Sequence, residues 1–178
     1  MKNVMIISSS PRVGGNSETL AKEFEKGAKD AGHNVEFVNL REMNLKYCMA
    51  CYNCHNTGKC VHSDGMNELY DKLIKADVLV FATPVYFYSM SGQLKVFFDR
   101  LVPCYTKIKA DIYMIASQWD SDVEIMENTF NAIRGTTKYC FEDCEEKGLI
   151  YGVGLDGRGD ALQNKELLTK AYEMGKNV

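Results

Sequence analysis

The sequence predicts an α/β fold, a doubly wound five-stranded parallel sheet with helices on both faces. Short apolar runs alternate along the chain with segments in which apolar residues recur at helical spacing. The central runs are apolar without interruption, which is typical of strands buried on both faces. No low-complexity linker or internal repeat breaks the pattern, so we expect a single domain over residues 1–178.

Five apolar runs are predicted as strands and the segments between them as helices. The strands are expected at Val4–Ile7, Val35–Leu40, Val78–Ala82, Ile112–Ile115 and Leu149–Val153. The helices are expected at about 20–31, 66–74, 94–101, 126–133 and from 162 onward. The strand order 2-1-3-4-5 is the economical one, because right-handed crossovers then cover both faces. It leaves a crevice between strands one and three, where ligands of such sheets bind.

Composition and charge exclude several classes of function. The net charge is −3 and no run of Lys or Arg is present, so a nucleic-acid partner is not expected. The first apolar stretch is too short for a signal peptide and no later run could span a bilayer, so we expect a cytoplasmic protein with no membrane partner. An odd number of cysteines, seven, indicates thiols, ligands or packing residues rather than a disulfide framework.

The loop after the first strand has the composition of a phosphate-binding loop. Residues 8–17 read SSSPRVGGNS and lie directly before a predicted helix. Hydroxyls, backbone N–H groups beside the glycines and the positive helix end can together hold a phosphate, to which Arg12 adds a full charge. The loop has neither the Walker A lysine nor G-x-G-x-x-G, which argues against ATP hydrolysis and ordinary dinucleotide binding. The alternative is a Gly/Ser turn with Asn16 as a helix cap.

Two further loops at the same sheet edge carry aromatic and amide side chains. Residues 83–95 read TPVYFYSMSGQLK, and three adjacent aromatics can grip a planar heteroaromatic ring such as an isoalloxazine. It is equally consistent with the sequence that these rings only cap the core. The loop at 116–120 carries the only tryptophan and Gln118, whose amide can bind a polar ring edge.

Four of the cysteines fall within thirteen residues, at Cys48, Cys51, Cys54 and Cys60. Three of them fall within seven residues, which suits an iron–sulfur cubane better than zinc, since structural zinc sites usually join two separated Cys/His pairs. Zinc and plain thiols remain alternatives. The adjacent His55 and His62 are left out of the site, because solvated loop histidines are common.

The other cysteines and one glycine-rich loop receive no function. Cys104 follows a proline at a helix end, and Cys140 and Cys144 are four apart on a predicted helix, so all three are predicted to be small packing residues. The loop at 152–160 can be imagined as an anion site, but a turn after the last strand is the simpler interpretation. No Ser/His/Asp set or carboxylate pair is visible, so no catalytic residue is predicted.

These segments resemble the NAD(P)H-dependent FMN reductase-like branch of the flavodoxin-fold proteins, and within it the iron-sulfur flavoproteins. The first loop resembles the family pattern G-S-P-R-x-x-G-N-[ST], with Ser9 in place of a glycine. Residues 83–100 match a second pattern, [ST]-P-V-Y-x-x-x-[MV]-[ST]-x-x-L-K-x-[FW]-x-D-R. The four clustered cysteines reproduce the C-x2-C-x2-C-x5-C spacing that binds a 4Fe-4S cluster in the iron-sulfur flavoproteins.

The resemblance implies a flavodoxin-like FMN-binding domain with a cysteine-rich insertion at about 45–62. The implied residues around the FMN phosphate are Ser10, Arg12, Asn16 and Ser17. Those implied along the ring are Pro84, Val85, Tyr86, Phe87 and Ser89. Ser117 and Gln118 are predicted as further cofactor-binding residues from the chemistry of the loop at 116–120. The implied ligands of a 4Fe-4S cluster are Cys48, Cys51, Cys54 and Cys60.

The implied function is to pass electrons between a flavin and the cluster, with ferredoxin or NAD(P)H as redox partner and a small molecule as electron acceptor. One alternative is a cluster-free NAD(P)H-dependent reductase of FMN, quinones or nitro compounds. Another is a zinc-bound or thiol redox-sensing interaction module. The resemblance also implies a homodimer or homotetramer in which one subunit's flavin faces its neighbour, with the aromatic second loop at the interface.

Overall fold

A computed structural model describes all residues of the chain, 1–178. The strands are β1 (Asn3–Ser8), β2 (Asn34–Asn39), β3 (Val78–Tyr86), β4 (Ser89–Met90), β5 (Asp111–Ser117) and β6 (Glu145–Gly152). The helices are α1 (Asn16–Asp30), α2 (Asn53–Thr57), α3 (Met66–Lys75), α4 (Gly92–Asp99), α5 (Val123–Thr137) and α6 (Lys165–Lys176). Short 3-10 turns lie at Leu40–Glu42, Tyr105–Lys107 and Asp160–Gln163.

Five strands pair in parallel in the order β2-β1-β3-β5-β6, which confirms the predicted 2-1-3-4-5 arrangement of the main strands. The extra strand, β4, has two residues and pairs antiparallel with the end of β3. The sequence did not predict it, because two residues are too few to show a period. From β1 the chain adds β2 on one side of the sheet and then β3 on the other. This reversal of strand order between β1 and β3 is the switch point, and it opens a crevice beyond the carboxyl ends of the strands.

The core has two layers, one on each face of the sheet. Successive strand residues point to opposite faces, so Ile6 packs with α1 and α6 while Ile7 packs with α3, α4 and α5. Both side chains are completely buried. Burying an Ile side chain contributes about 1.5–3 kcal/mol, and this doubly covered β1 fixes the start of the loop that follows it.

The structure differs from the sequence prediction around the last strand. Helix α5 ends at Thr137, so Cys140 and Cys144 do not share a helix, and the packing prediction for the exposed Cys140 is wrong. Cys144 precedes β6, where its sulfur accepts a hydrogen bond from the Ala110 N–H at 3.3 Å. Cys104 is 1% exposed, which confirms its packing role.

The last helix begins three residues later than the sequence suggested. Asn164 caps α6 by accepting a hydrogen bond from the Leu167 N–H at 3.1 Å, and a 3-10 turn occupies the residues before it. No helix combines the length and the apolar character that a membrane crossing requires.

Candidate functional site

A cleft of about 610 Å³, open to solvent, lies beyond the carboxyl ends of β1, β3 and β5. Its walls come from the loop after β1, the end of β3, the loop after β5 and the loop after β6. This is the switch-point position expected for a ligand site in a sheet of this kind.

All but two of the predicted cofactor-binding residues line this cleft. They are Ser10, Arg12, Asn16, Ser17, Pro84, Val85, Tyr86, Ser117 and Gln118. Phe87 and Ser89 lie instead on the hairpin between β3 and β4, where Ser89 pairs with Tyr86 and Phe87 is fully exposed. The lining also includes five residues that were not predicted as site residues: Gly15, Trp119, Leu155, Asp156 and Arg158.

At one end of the cleft the N-terminus of α1 presents unpartnered polar groups. The Ser17 hydroxyl is buried and has no hydrogen-bond partner. A Cβ on Gly15 would lie 2.4 Å from the Ser10 Oγ, so only glycine leaves the backbone open here. The Ser10 hydroxyl itself accepts from the Arg12 N–H and donates to the Arg12 carbonyl, at 3.2 and 2.9 Å, which fixes the turn. The result is a cradle of donors at the positive end of a helix dipole.

Two arginines without carboxylate partners lie at the same end. Arg12 and Arg158 both line the cleft, both are exposed, and neither forms an ion pair. The Arg158 guanidinium approaches the loop after β1, because a Cβ on Gly14 would lie 3.8 Å from its Nη2. This end of the cleft is therefore suited to an anion.

The side chain of Asn16, which the resemblance places at the FMN phosphate, already has partners within the chain, and the N-cap of α1 is Gly15 rather than Asn16. The Asn16 Nδ2 donates to the Gly157 carbonyl at 2.9 Å, and its Oδ1 accepts from the Ala161 N–H at 3.1 Å. The side chain therefore joins the loop after β1 to the loop after β6. This contact spans more than a hundred residues of chain, which is why the sequence left the second loop unassigned.

An ion pair between the buried Glu18 and the half-buried Arg41 supports the loop after β1. The Glu18 carboxylate, 6% exposed, accepts from the Gly14 N–H at 2.8 Å and from the Arg41 Nη2 at 2.9 Å. A carboxylate so close would repel an anion if it were alone. The positive charge of Arg41 offsets the negative charge of Glu18. The electrostatic potential that Arg12 and Arg158 produce at this end of the cleft therefore stays positive.

The other end of the cleft is bounded by planar and apolar groups. Pro84, Val85 and Tyr86 form one wall, and the exposed Trp119 stands at the rim. The Gln118 Nε2 donates to the carbonyls of residues 120 and 122, at 3.1 and 2.7 Å. The Gln118 Oε1 is left buried and unpartnered, ready to accept a hydrogen bond from a ligand.

Ser9 links the loop after β1 to β3 and to the start of α4. Its hydroxyl donates to the Ala82 carbonyl at 3.1 Å and accepts from the Ser91 hydroxyl at 2.9 Å. Ser91 is in turn the N-cap of α4. The serine that replaces the expected glycine therefore ties the loop after β1 to the end of β3.

The hairpin beside the cleft is strained and exposed. Phe87 and Tyr88 have φ values of 49° and 59°, as a tight two-residue hairpin of the primed type requires. A non-glycine residue in this left-handed region costs about 1–2 kcal/mol. Neither side chain is buried, so no packing within the chain offsets that cost.

The cysteine segment, defined here as residues 46–64, lies on the α3 and α4 side of the sheet. Cys48 and Cys51 are exposed, and Cys54 and Cys60 are half-buried. Burial, together with the nearby Cys60, Cys51 and Cys48 thiols, raises the pKa of Cys54. As arranged in this structure, no three Cys, His, Asp or Glu side chains are close enough together to hold a metal ion.

The chain is similar in sequence to a known family of flavin-dependent proteins. The family model described as NADPH-dependent FMN reductase matches residues 2–118, well over half of the chain. An iron-sulfur flavoprotein of Methanocaldococcus jannaschii is 37% identical over 100 residues, which cover 56% of this chain and 52% of the relative. The chain thus matches only about half the length of such curated relatives.

Two further matches extend over nearly the whole chain. A Bacillus subtilis protein that carries the provisional name of NAD(P)H-dependent FMN-containing oxidoreductase is 29% identical, covering 97% of this chain and 96% of that protein. The solved NAD(P)H:quinone oxidoreductase of Methanothermobacter marburgensis superposes with a TM-score of 0.77 at 21% identity, covering 99% of this chain and 95% of the other. That likeness shows the flavodoxin-like fold. With the family match over residues 2–118, the chain belongs to the NADPH-dependent FMN reductase family.

Proposed function

We propose that this chain is a flavin-dependent oxidoreductase that passes electrons between FMN in the cleft and a 4Fe-4S cluster on the cysteine segment. The observation that carries the proposal is the division of the cleft into two ends, one suited to a phosphate and the other to a polar-edged planar ring. FMN has these two parts at the ends of one flexible chain.

The phosphate of FMN fits the end formed by α1. It would accept hydrogen bonds from the orphan Ser17 hydroxyl and from the backbone N–H groups of Asn16 and Ser17, the first two residues of α1. Arg12 and Arg158 would supply charge-assisted hydrogen bonds from the solvent side. The side chain of Asn16 would act indirectly, because it braces the loop that carries Arg158.

The ring of FMN fits the end formed by β3 and the loop after β5. Its face would lie along Pro84, Val85 and Tyr86, and its polar edge would donate to the unpartnered Gln118 Oε1. When bound, FMN supplies the hydride and single-electron chemistry that no side chain here provides. The residues of the cleft bind and orient it, and no acid or base is assigned.

The donor chemistry of the cysteine segment fits an iron–sulfur cluster. Four thiols lie on one short segment at positions Cys48, Cys51, Cys54 and Cys60, and thiolates are the ligands such clusters take. Curated relatives at 33–38% identity are named iron-sulfur flavoproteins, which supports the same assignment.

Anaerobic reconstitution tests both cofactors at once. The chain is incubated with FMN, iron and sulfide, separated from excess, and assayed for bound FMN, bound iron and visible absorption. We expect about one FMN and about four iron atoms per chain. Failure to retain FMN would contradict the assignment of the cleft.

A cluster-free reductase of FMN, quinones or nitro compounds is the second candidate. It is favoured by the spacing of the thiols in this structure, where no three groups could hold an ion, and by the full-length similarity to the Bacillus subtilis protein. Bound FMN without iron, together with NAD(P)H turnover, would select it. Stoichiometric zinc without flavin would instead select the zinc-bound interaction module.

The proposed donor is ferredoxin or NAD(P)H, with a small-molecule acceptor, and the proposed location is the cytoplasm. We also propose a homodimer or homotetramer. Phe87, Tyr88 and Trp119 place three exposed aromatic rings around the mouth of the cleft, and burial against a second copy would offset both their exposure and the strain of the hairpin.

A further inference from the structure

The two ends of the cysteine segment meet at a single buried arginine, Arg100. This residue follows α4, and its side chain is 1% exposed. Its backbone is held from α3 by the Tyr70 hydroxyl, which donates to the Arg100 carbonyl at 2.9 Å. The backbone of Arg100 is therefore anchored to α3, and its guanidinium is buried.

Arg100 contacts both ends of the segment. At the start, its Nη1 donates to the Lys46 carbonyl at 2.6 Å. At the end, its Nη1 and Nη2 donate to the two Asp64 carboxylate oxygens at 2.8 and 3.0 Å. The same Asp64 carboxylate accepts from the Lys46 N–H at 2.9 Å, so the three residues form a closed ring of hydrogen bonds.

A second contact holds the last cysteine to α3. The Cys60 N–H donates to the Asn67 Oδ1 at 2.8 Å, and the Asn67 Nδ2 donates back to the Cys60 carbonyl at 3.0 Å. Cys60 is thus held by its backbone, a few residues from the Arg100 ring. The exposed Cys48 and Cys51 have no comparable support, so their positions depend on how the ends of the segment are tied.

We propose that Arg100 is a positioning residue for the cysteine segment, closing it into a loop and setting the spacing at which its four thiols can converge. Where it concerns the cluster, this rests on the proposed function. Tying the ends removes conformational freedom from the loop before any metal binds. Arginine is required because its planar fork reaches a carbonyl and both oxygens of a carboxylate at once, whereas lysine offers a single point of contact.

The test compares Arg100→Lys, Arg100→Ala and Asp64→Asn with the unaltered protein. In reconstituted protein, we expect iron to be lost to a ferrous chelator about 10- to 100-fold faster in Arg100→Ala, a range typical of lost supporting contacts at metal sites. Arg100→Lys and Asp64→Asn should fall between. FMN affinity should be unchanged, because the cleft is built from other loops.

A second readout uses the protein before iron is added. Alkylation by iodoacetamide is followed at each cysteine by mass spectrometry, and Cys60 should react several-fold faster in the Arg100 variants. The exposed Cys140, outside the segment, is the internal reference and should not change. Arg134→Ala is the matched control, since Arg134 also binds two carboxylates, Glu127 and Glu146, far from the segment in the chain.

The outcomes separate this proposal from the proposed function. If no variant binds iron, and neither does the unaltered protein, the cluster assignment fails, while the alkylation rates still decide the role of Arg100. If Arg100→Ala does not fold, Arg100→Lys and Asp64→Asn carry the test. Unchanged iron loss and unchanged Cys60 alkylation in the folded variants would overturn the proposal.

Discussion

Arg12 and Arg158 place two unpaired guanidinium groups around a buried serine hydroxyl, although 146 positions separate them in the chain. Arg12 could be assigned from the sequence, because it lies in a loop whose composition indicates a phosphate site. Arg158 could not, because its role depends on the contact between Asn16 and Gly157. The sequence therefore predicts a binding residue when its neighbours in the chain form the same site. It does not predict one that only the fold brings to the site.

Replacing either arginine should weaken FMN binding. Each charge-assisted contact to phosphate contributes about 1.5–3 kcal/mol, so Arg12→Ala and Arg158→Ala should each raise the Kd roughly 10- to 100-fold. Quenching of flavin fluorescence on titration measures this. Arg134→Ala serves as control, because Arg134 does not line the cleft and is partnered by carboxylates. An unchanged Kd for Arg12→Ala would show that the loop after β1 is misassigned.

Replacing Cys51 distinguishes the two proposed cofactors experimentally. In Cys51→Ser the hydroxyl is a poor iron ligand, so the intact cluster should be lost while bound FMN stays at the level of the unaltered protein. Iron and flavin contents per chain measure both. Cys140→Ser changes an exposed cysteine outside the segment and should retain both cofactors. Full cluster absorption in Cys51→Ser would remove Cys51 from the ligand set.

Among the elements, the contact between the end of α4 and the cysteine segment depends on the ionised carboxylate of Asp64. Burial alone would raise the pKa of Asp64, but hydrogen bonds from Arg100 and the Lys46 N–H overcome it and lower the pKa to about 2. A carboxyl with a lowered pKa stabilises the fold above its ordinary value of 3.8, and that contribution is lost as the pH falls toward 2.

Asp64→Asn should therefore change the acid response. Above pH ~4 the variant should be less stable by about 2 kcal/mol, corresponding to a shift of nearly two pKa units. The difference should vanish as the pH approaches 2. Urea unfolding of the iron-free protein across this range measures it, with Asp71→Asn, at an exposed position of α3, as the control. A difference that stays constant with pH would contradict the ion pair.

At the scale of the whole molecule, strand order was predictable because uninterrupted apolar runs mark the buried strands and handedness limits their arrangement. The two-residue β4 and the hairpin it forms were not, since the strained turn at Phe87 and Tyr88 uses none of the usual turn residues. The cysteine spacing was visible in the sequence, but the ring that ties the segment to Arg100 depends on tertiary contacts.

The exposed hairpin should govern association of copies of the chain. Phe87→Asn removes an apolar tip and places in the left-handed turn a residue that tolerates it, so we expect weaker self-association without loss of thermal stability. Sedimentation velocity over a concentration series measures this. Tyr139→Asn removes another exposed aromatic side chain as the control. Equal association constants for the two variants would argue against the hairpin as an interface.

A crystal structure of the protein determined with FMN shows whether the cleft is the flavin site. We expect the phosphate at the N-terminus of α1, within hydrogen-bond distance of the Ser17 hydroxyl, and the ring edge at the Gln118 Oε1. FMN bound elsewhere, or a cleft closed by its own side chains in the presence of excess FMN, would contradict this expectation.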